Sequence, residues 1–272
     1  MAKILYGAPV REQIKQELIE RIKKLSKQPV LAIVQVGNKE DSNVYIRQKQ
    51  KFGEEIGVKV LLEKFQEDIS QKELEDKVKK LNADEKVNGI IVQLPLTENL
   101  DTEKIINLVS GQKDTDGLSS LSQSQKCIPA TARGVMALLD YYQISVRGKK
   151  VAVIGQGILA GKPIALELEK KGAKVFRCDI GTQNIPKISR ECDILILAVG
   201  KAGLVTKEFV NERQVLIDVG VNSVNGKLVG DVVFTEVEPI VRAITPVPGG
   251  VGPLTVACLF QNLVDLCEQK VL

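Results

Sequence analysis

Apolar residues recur along this chain with two alternating periods. In "VREQIKQELIERIKKL", Val10, Ile14, Leu18, Ile22 and Leu25 fall at steps of four, four, four and three, one stripe of a helix. "VLAIVQV" (30–36) is a nearly continuous apolar run of strand length, and the helical period returns over about 40–56. The same reasoning predicts a strand over 58–65, a helix over about 70–82 and a strand over "GIIVQL" (89–94). A loop rich in Gly, Ser, Asp and Gln fills 111–129, and a helix follows at about 131–143. Strands then recur at 150–155, 173–178, 193–200 and 214–220, with a helix from 160. A last helix over about 253–268 follows the Pro/Gly cluster "TPVPGGVGP" (245–253). Helix after strand at this regularity predicts right-handed βαβ units on mostly parallel sheets, an α/β fold. The restart near 140–148 predicts a second domain, a Rossmann-like doubly wound parallel sheet.

One position breaks the polar side of this pattern. In the helix over 40–56, Tyr45, Lys49, Phe52 and Ile56 lie at i, i+4, i+7 and i+11 on a single face, and Arg47, Lys51, Glu54 and Glu55 lie opposite. Lys49 therefore points toward the protein or a cleft. A partly buried lysine has a lowered pKa and can offer a neutral amine as a base. The plain alternative is a snorkelling lysine whose stem covers the apolar stripe. The choice matters because the chain has no histidine, so proton transfer near neutral pH must fall to another side chain.

Composition narrows the classes. The 272 residues are 44% apolar and 26% charged, with 38 basic and 34 acidic residues and a net charge of +4. That balance speaks against an electrostatic nucleic-acid binder and is compatible with small anionic ligands. The five cysteines are scattered without a CxxC, which predicts reduced thiols, no zinc site and a cytoplasmic location. The apolar start of "MAKILYGAPV" is too short for a signal peptide, and the longest apolar run, "ILILAV" (194–199), is far below membrane-spanning length.

Four segments carry candidate chemistry. "VAVIGQGILAGKP" gives a strand, then Gly155, Gln156, Gly157 and Gly161, then a helix, the arrangement in which backbone amides and a helix N-terminus receive a pyrophosphate. A following strand ends in Asp179, at the spacing of a ribose-binding acid. The alternative is a tight βα turn without ligand. Gln93 ends the buried strand before Pro95, where open α/β sheets face their ligand crevice. "KDTDGL" (113–118) reads as an Asp-Gly turn or as a carboxylate site at Asp116, and Pro248, Gly249 and Gly250 as a structural turn or a rigid wall for a planar ligand.

Taken in order, "SNVYIRQKQK", "GIIVQLPL", "KDTDG", "RGVMALL", "VIGQGILAGKP", "DILILAVGK", "LIDVGVN", "LVGDV" and "ITPVPGGVGPLTVA" resemble the bifunctional methylenetetrahydrofolate dehydrogenase / methenyltetrahydrofolate cyclohydrolase family over nearly the whole chain. The resemblance implies two domains flanking a cleft. One comprises 1–140 with the returning C-terminal helix, 251–272, and binds tetrahydrofolate derivatives; the other, 141–250, binds the nicotinamide dinucleotide. It implies Lys49 as the proton-handling group, Gln93 positioning it, Asp116 holding the pterin, Tyr45 packing on the folate, and Pro248, Gly249 and Gly250 in the substrate wall. It further implies cofactor contacts from Gly155, Gln156, Gly157, Gly161, Asp179, Ile180 and Val221, a homodimer, and neither nucleic-acid nor membrane partners.

The chain departs from the family pattern chiefly in its cofactor half. Gly155, Gln156 and Gly157 stand where the family usually has Gly-Arg-Ser, and Asp179, Ile180 and Gly181 where it has His-Ser and a basic residue. The loop usually written PCTPxG reads "PATARG", with Ala130 and Ala132. NADP is the family's usual cofactor. The missing Arg and Ser and the added carboxylate of Asp179 point instead to NAD, or to weak binding of both. The alternative functions are a cyclohydrolase with a lost or weakened cofactor site and a non-catalytic folate-binding protein.

Overall fold

The computed structural model describes residues 1–119 and 127–269; positions 120–126 of the expected 111–129 loop and 270–272 of the expected C-terminal helix lie outside them. The elements, in chain order, are β1 (Lys3–Ile4), α1 (Gly7–Ile22), β2 (Val30–Val36), α2 (Glu40–Ile56), β3 (Lys59–Phe65), α3 (Gln71–Ala83), β4 (Gly89–Val92) and α4 (Thr102–Leu108). They continue as α5 (Ala130–Tyr141), β5 (Lys150–Ile154), α6 (Gly161–Lys170), β6 (Lys174–Cys178), α7 (Ile185–Arg190), β7 (Ile194–Leu197) and β8 (Val215–Asp218). The chain ends with β9 (Asn222–Val224), β10 (Lys227–Val229), α8 (Phe234–Val237), β11 (Ala243–Ile244) and α9 (Gly252–Gln269). The fold divides into two compact units, Ile14–Ala130 with Val256–Leu272, and Met1–Gln13 with Thr131–Thr255.

The first unit is built on a three-stranded parallel sheet in the order β3-β2-β4. Because both of its faces are covered, central β2 is apolar except at Gln35, whose amide donates to Asn43 Oδ1 at 2.8 Å. One core gathers Val34, Leu74, Val78, Ile90 and Ile105 from the sheet and from α3 and α4. Helix α3 starts where the sequence supplies a reciprocal cap: Ser70 and Glu73 bond each other's backbone N–H groups. Phe260 of α9 meets Phe52 of α2 at a centroid distance of 5.4 Å, and Arg21 bonds Asp265 and Glu268 of α9, both at 2.6 Å.

The second unit carries a six-stranded sheet in the order β1-β11-β8-β7-β5-β6, parallel at every pairing. From β5 the chain goes to β6 on one side and then to β7 on the other, so the strand order reverses at β5. That reversal opens a crevice at the carboxyl ends of β5 and β7. The two-residue strands β1 and β11 and the antiparallel β9–β10 hairpin were not predicted, nor were α4, α7 and α8. All are short: the longest, α4, has seven residues, too few to repeat a helical pattern over several turns. The five cysteines are buried thiols outside any disulfide, and no described helix is long and apolar enough to cross a membrane.

Candidate active site

Helix α2 turns Ser42, Ile46, Lys49, Phe52, Gly53 and Ile56 inward and leaves Arg47, Gln48 and Lys51 exposed; Tyr45 is half-buried, one turn before Lys49. Lys49 is 8% exposed, and its Nζ donates to Gln93 Oε1 at 2.8 Å. A snorkelling lysine keeps its ammonium in water, and this one does not. Gln93 is held in turn. Its backbone N–H continues the ladder to Val34 O at 2.8 Å, and its Nε2 donates to Leu94 O at 2.9 Å. Leu94–Pro95 is a cis peptide. Burial lowers the Lys49 pKa, and the Asp116 carboxylate opposes that shift. Burial raises the Asp116 pKa, opposed by Lys49. Each group is thus moved toward its neutral form, and each restrains the other.

The loop that carries Asp116 has its own framework. Asp114 Oδ1 and Oδ2 accept from the N–H groups of Gly117 at 2.9 Å and Ser119 at 2.8 Å. Asp114, not Asp116, therefore makes these Asp-Gly-turn bonds. Burial pushes the Asp114 carboxyl up to about 6, with the Asp116 charge adding to the rise and the N–H donors opposing it. Gly117 has φ +70°, and a Cβ there would lie 2.9 Å from both Cys127 O and Pro129 N, so glycine is needed for this return of the chain. Lys113 is buried and donates to Leu81 O at 3.0 Å and Asp84 O at 2.7 Å, tying the loop to the C-terminal end of α3. Asn262 of α9 donates to Thr115 O and Ile128 O, both at 2.9 Å. Lys113, Asp114 and Asn262 were not predicted as site residues. The only sequence signal was the adjacency of Lys113 and Asp114 to Asp116.

The remaining candidates belong to the second unit. Gly155, at φ +95°, follows β5, and a Cβ there would collide with Ala198 O at the end of β7. A Cβ at Gly161 would collide with Gly155 O, whereas nothing lies within 4 Å of one at Gly157. Ala160, the N-cap of α6, offers no side-chain cap. The turn is thus tight at Gly155 and Gly161 and open at Gly157, at the N-terminal end of α6, an arrangement that fits a pyrophosphate. Gln156 Nε2 folds back onto Val153 O (2.9 Å) and Gly155 O (3.0 Å). At the end of β6, Asp179 Oδ1 accepts from Gly181 N–H at 3.0 Å and from the Thr182 hydroxyl at 3.1 Å, and Ile180 is fully exposed. Val221 is also exposed. Pro248 is exposed after a cis bond from Val247, Gly249 O accepts from Gly7 N–H at 2.8 Å, and Gly250 is buried. Tyr45, Lys49, Gln93 and Asp116 are thus placed in one unit, and the Gly155, Asp179 and Pro248 groups in the other.

Residues 5–116 match the catalytic domain, and 129–271 the NAD(P)-binding domain, of the tetrahydrofolate dehydrogenase/cyclohydrolase family. A relative from Lactobacillus johnsonii described as bifunctional protein FolD 2 is 41% identical over 279 aligned residues, covering 99% of each chain. The structure of the bifunctional dehydrogenase/cyclohydrolase from Campylobacter jejuni superposes with a TM-score of 0.95 at 36% identity, covering 99% of this chain and 100% of that one. The Trypanosoma brucei enzyme, solved with NADP and an inhibitor, gives a TM-score of 0.94 at 32% identity, covering 99% and 98%.

Proposed function

The chain belongs to the tetrahydrofolate dehydrogenase/cyclohydrolase family, and we propose that Lys49 is its proton-transfer group, with Gln93, Asp116 and Tyr45 completing the folate site. The protein is an NAD(P)-dependent methylenetetrahydrofolate dehydrogenase and methenyltetrahydrofolate cyclohydrolase. It oxidises 5,10-methylenetetrahydrofolate to the methenyl compound and hydrolyses that to 10-formyltetrahydrofolate. The chemistry a bound nicotinamide supplies is hydride acceptance from the carbon between N5 and N10. The cation left behind is stabilised by those nitrogens, so this step asks the protein for orientation and not for an acid or base. Tyr45 packs on the folate and Asp116 accepts from the pterin's N–H donors.

Hydrolysis is the step that needs a proton carrier. Water adds to the methenyl carbon, one of its protons must leave, and a ring nitrogen must take one up as the C–N bond opens. The observation that carries the assignment is the buried Lys49 Nζ, 2.8 Å from Gln93 Oε1 and under the opposing field of Asp116. Gln93 aims the amine, and burial makes its neutral form accessible below the ordinary lysine range. This gives a protein without histidine a base whose pKa lies below the ordinary lysine value. A coupled assay for both activities, run on the Lys49 variants described below, tests it.

For the cofactor we propose discrimination against the 2′-phosphate. Arg177, the cation nearest Asp179 on β6, is spent on Glu169 in a two-pronged pair of 3.1 and 2.8 Å. Gln156 turns its amide inward, and Asp179 adds a carboxylate that repels a phosphate and accepts from a free ribose hydroxyl. We expect kcat/KM to favour NAD over NADP, or to be low for both. Asp179→Ser combined with Gln156→Arg should move the preference toward NADP. A wild-type preference for NADP above about tenfold, roughly 1.4 kcal/mol, rules the proposal out.

A further inference from the structure

Two buried aspartates of the second unit lie outside the roles assigned above. Asp231 is fully buried, and its carboxylate accepts from three consecutive backbone N–H groups after β7: Val199 at 2.7 Å, Gly200 at 3.1 Å and Lys201 at 2.8 Å. Asn222 Nδ2 adds a fourth bond at 3.1 Å. Asp231 is itself held by Asp218, at the end of β8, whose carboxylate accepts from the N–H groups of Asp231 at 3.2 Å, Val232 at 3.0 Å and Gly220 at 3.0 Å. A Cβ at Gly220 would collide with the Asp231 carboxylate, so the glycine makes room for it. Four donors on one buried carboxylate are far more than a surface loop needs to stay folded, and charge-assisted bonds are the strong ones.

The position of this clamp says what it serves. The loop it fixes starts beside Ala198, whose carbonyl lies against Gly155 at the strand-order reversal. With pyrophosphate at the start of α6 and the adenosine ribose at Asp179 on the β6 side, the other end of the dinucleotide runs over the carboxyl ends of β7 and β8. There Val199 and Val221 are each 39% exposed. The amides of 199–201 face Asp231 and are not offered to a phosphate, so the loop presents an apolar side chain to an uncharged part of the ligand.

We propose that Asp231 is a positioning residue of the dehydrogenase: it holds the Val199–Lys201 backbone so that Val199 and Val221 wall the nicotinamide-ribose end of the cofactor. This rests on the adenosine ribose lying at Asp179. In Asp231→Asn the amide oxygen can keep only one of the two pairs of bonds, and an N–H₂ faces the other pair of donors, so the loop is loosened. The expected result is a rise of about tenfold or more in the cofactor KM, with cyclohydrolase turnover within about twofold of wild type. A merely structural aspartate would lower the thermal midpoint and leave the cofactor KM unchanged, and that outcome overturns the proposal. Hydrogen exchange on the wild-type protein provides a measurement that needs no variant. The amides of 199–201 should be protected before cofactor is added; rapid exchange there overturns the clamp even if Asp231→Asn fails to fold. If Asp179→Ser leaves NAD and NADP kinetics untouched while Asp231→Asn raises the KM, the ribose placement fails and the clamp stands.

Discussion

Lys49→Met should lower methenyltetrahydrofolate hydrolysis by roughly 10²–10⁴-fold, the usual worth of a positioned proton-transfer group. The fold should survive, because the substitution replaces a buried amine by an apolar chain of similar length. Folate binding should largely survive as well, and the dehydrogenase step should fall much less. Lys49→Arg should be as inactive in hydrolysis as the methionine variant, since a guanidinium does not give up its proton in a protein. In the wild type the active form is the neutral amine. Hydrolysis should therefore be lost as pH falls through the Lys49 pKa, which burial has moved below the ordinary lysine value. Steady-state assays of both activities across pH check this. Hydrolysis near the wild-type rate in Lys49→Met would remove Lys49 from the mechanism.

Asp116→Ala should weaken folate binding by about 1.5–3 kcal/mol, the range for a hydrogen bond to a charged group, and leave cofactor affinity unchanged. It should also act on its neighbours with a defined sign. Asp116 opposes the lowering of the Lys49 pKa, so removing it lets that pKa fall further and shifts the hydrolysis profile to lower pH. Asp116 raises the Asp114 carboxyl, now at about 6, so that value should fall in the variant. Calorimetric titration with a folate analogue and the hydrolysis pH profile measure the two effects. Unchanged affinity for the analogue would remove Asp116 from the folate site.

The long helices were legible because each completes several turns of one period, and several strands because short runs rich in apolar residues stand out between polar segments. α1, α2, α3 and α9, and the runs forming β2, β3, β5 and β8, lie within a few residues of their expected bounds. β1 and β11 were not legible. Two residues carry no period, and their pairing, Lys3 with Ala243, joins segments 240 positions apart in the chain. Lys49 could be singled out because a charge on an apolar stripe is visible in one dimension. Lys113 and Asp114 could not, because their importance lies in which loop carbonyls and amides they reach once buried. Asp179 illustrates the remaining gap. Spacing made it a ribose acceptor, but spacing gives no sign that its oxygen also bonds Gly181 and Thr182 in its own turn.

The buried cysteines bring a different consequence. Cys178 and Cys192 belong to one compact unit and Cys127, Cys258 and Cys267 to the other. Burial raises the thiol pKa values of Cys178 and Cys192, the latter to about 11, and thiols react as thiolates. A thiol-directed reagent should therefore modify the native protein only as fast as each region opens. Peptide mapping of the labelled sites then yields two opening rates from one sample, without mutation or an introduced probe. Adding a folate analogue or NAD should slow whichever set of labels belongs to the unit that the ligand stabilises.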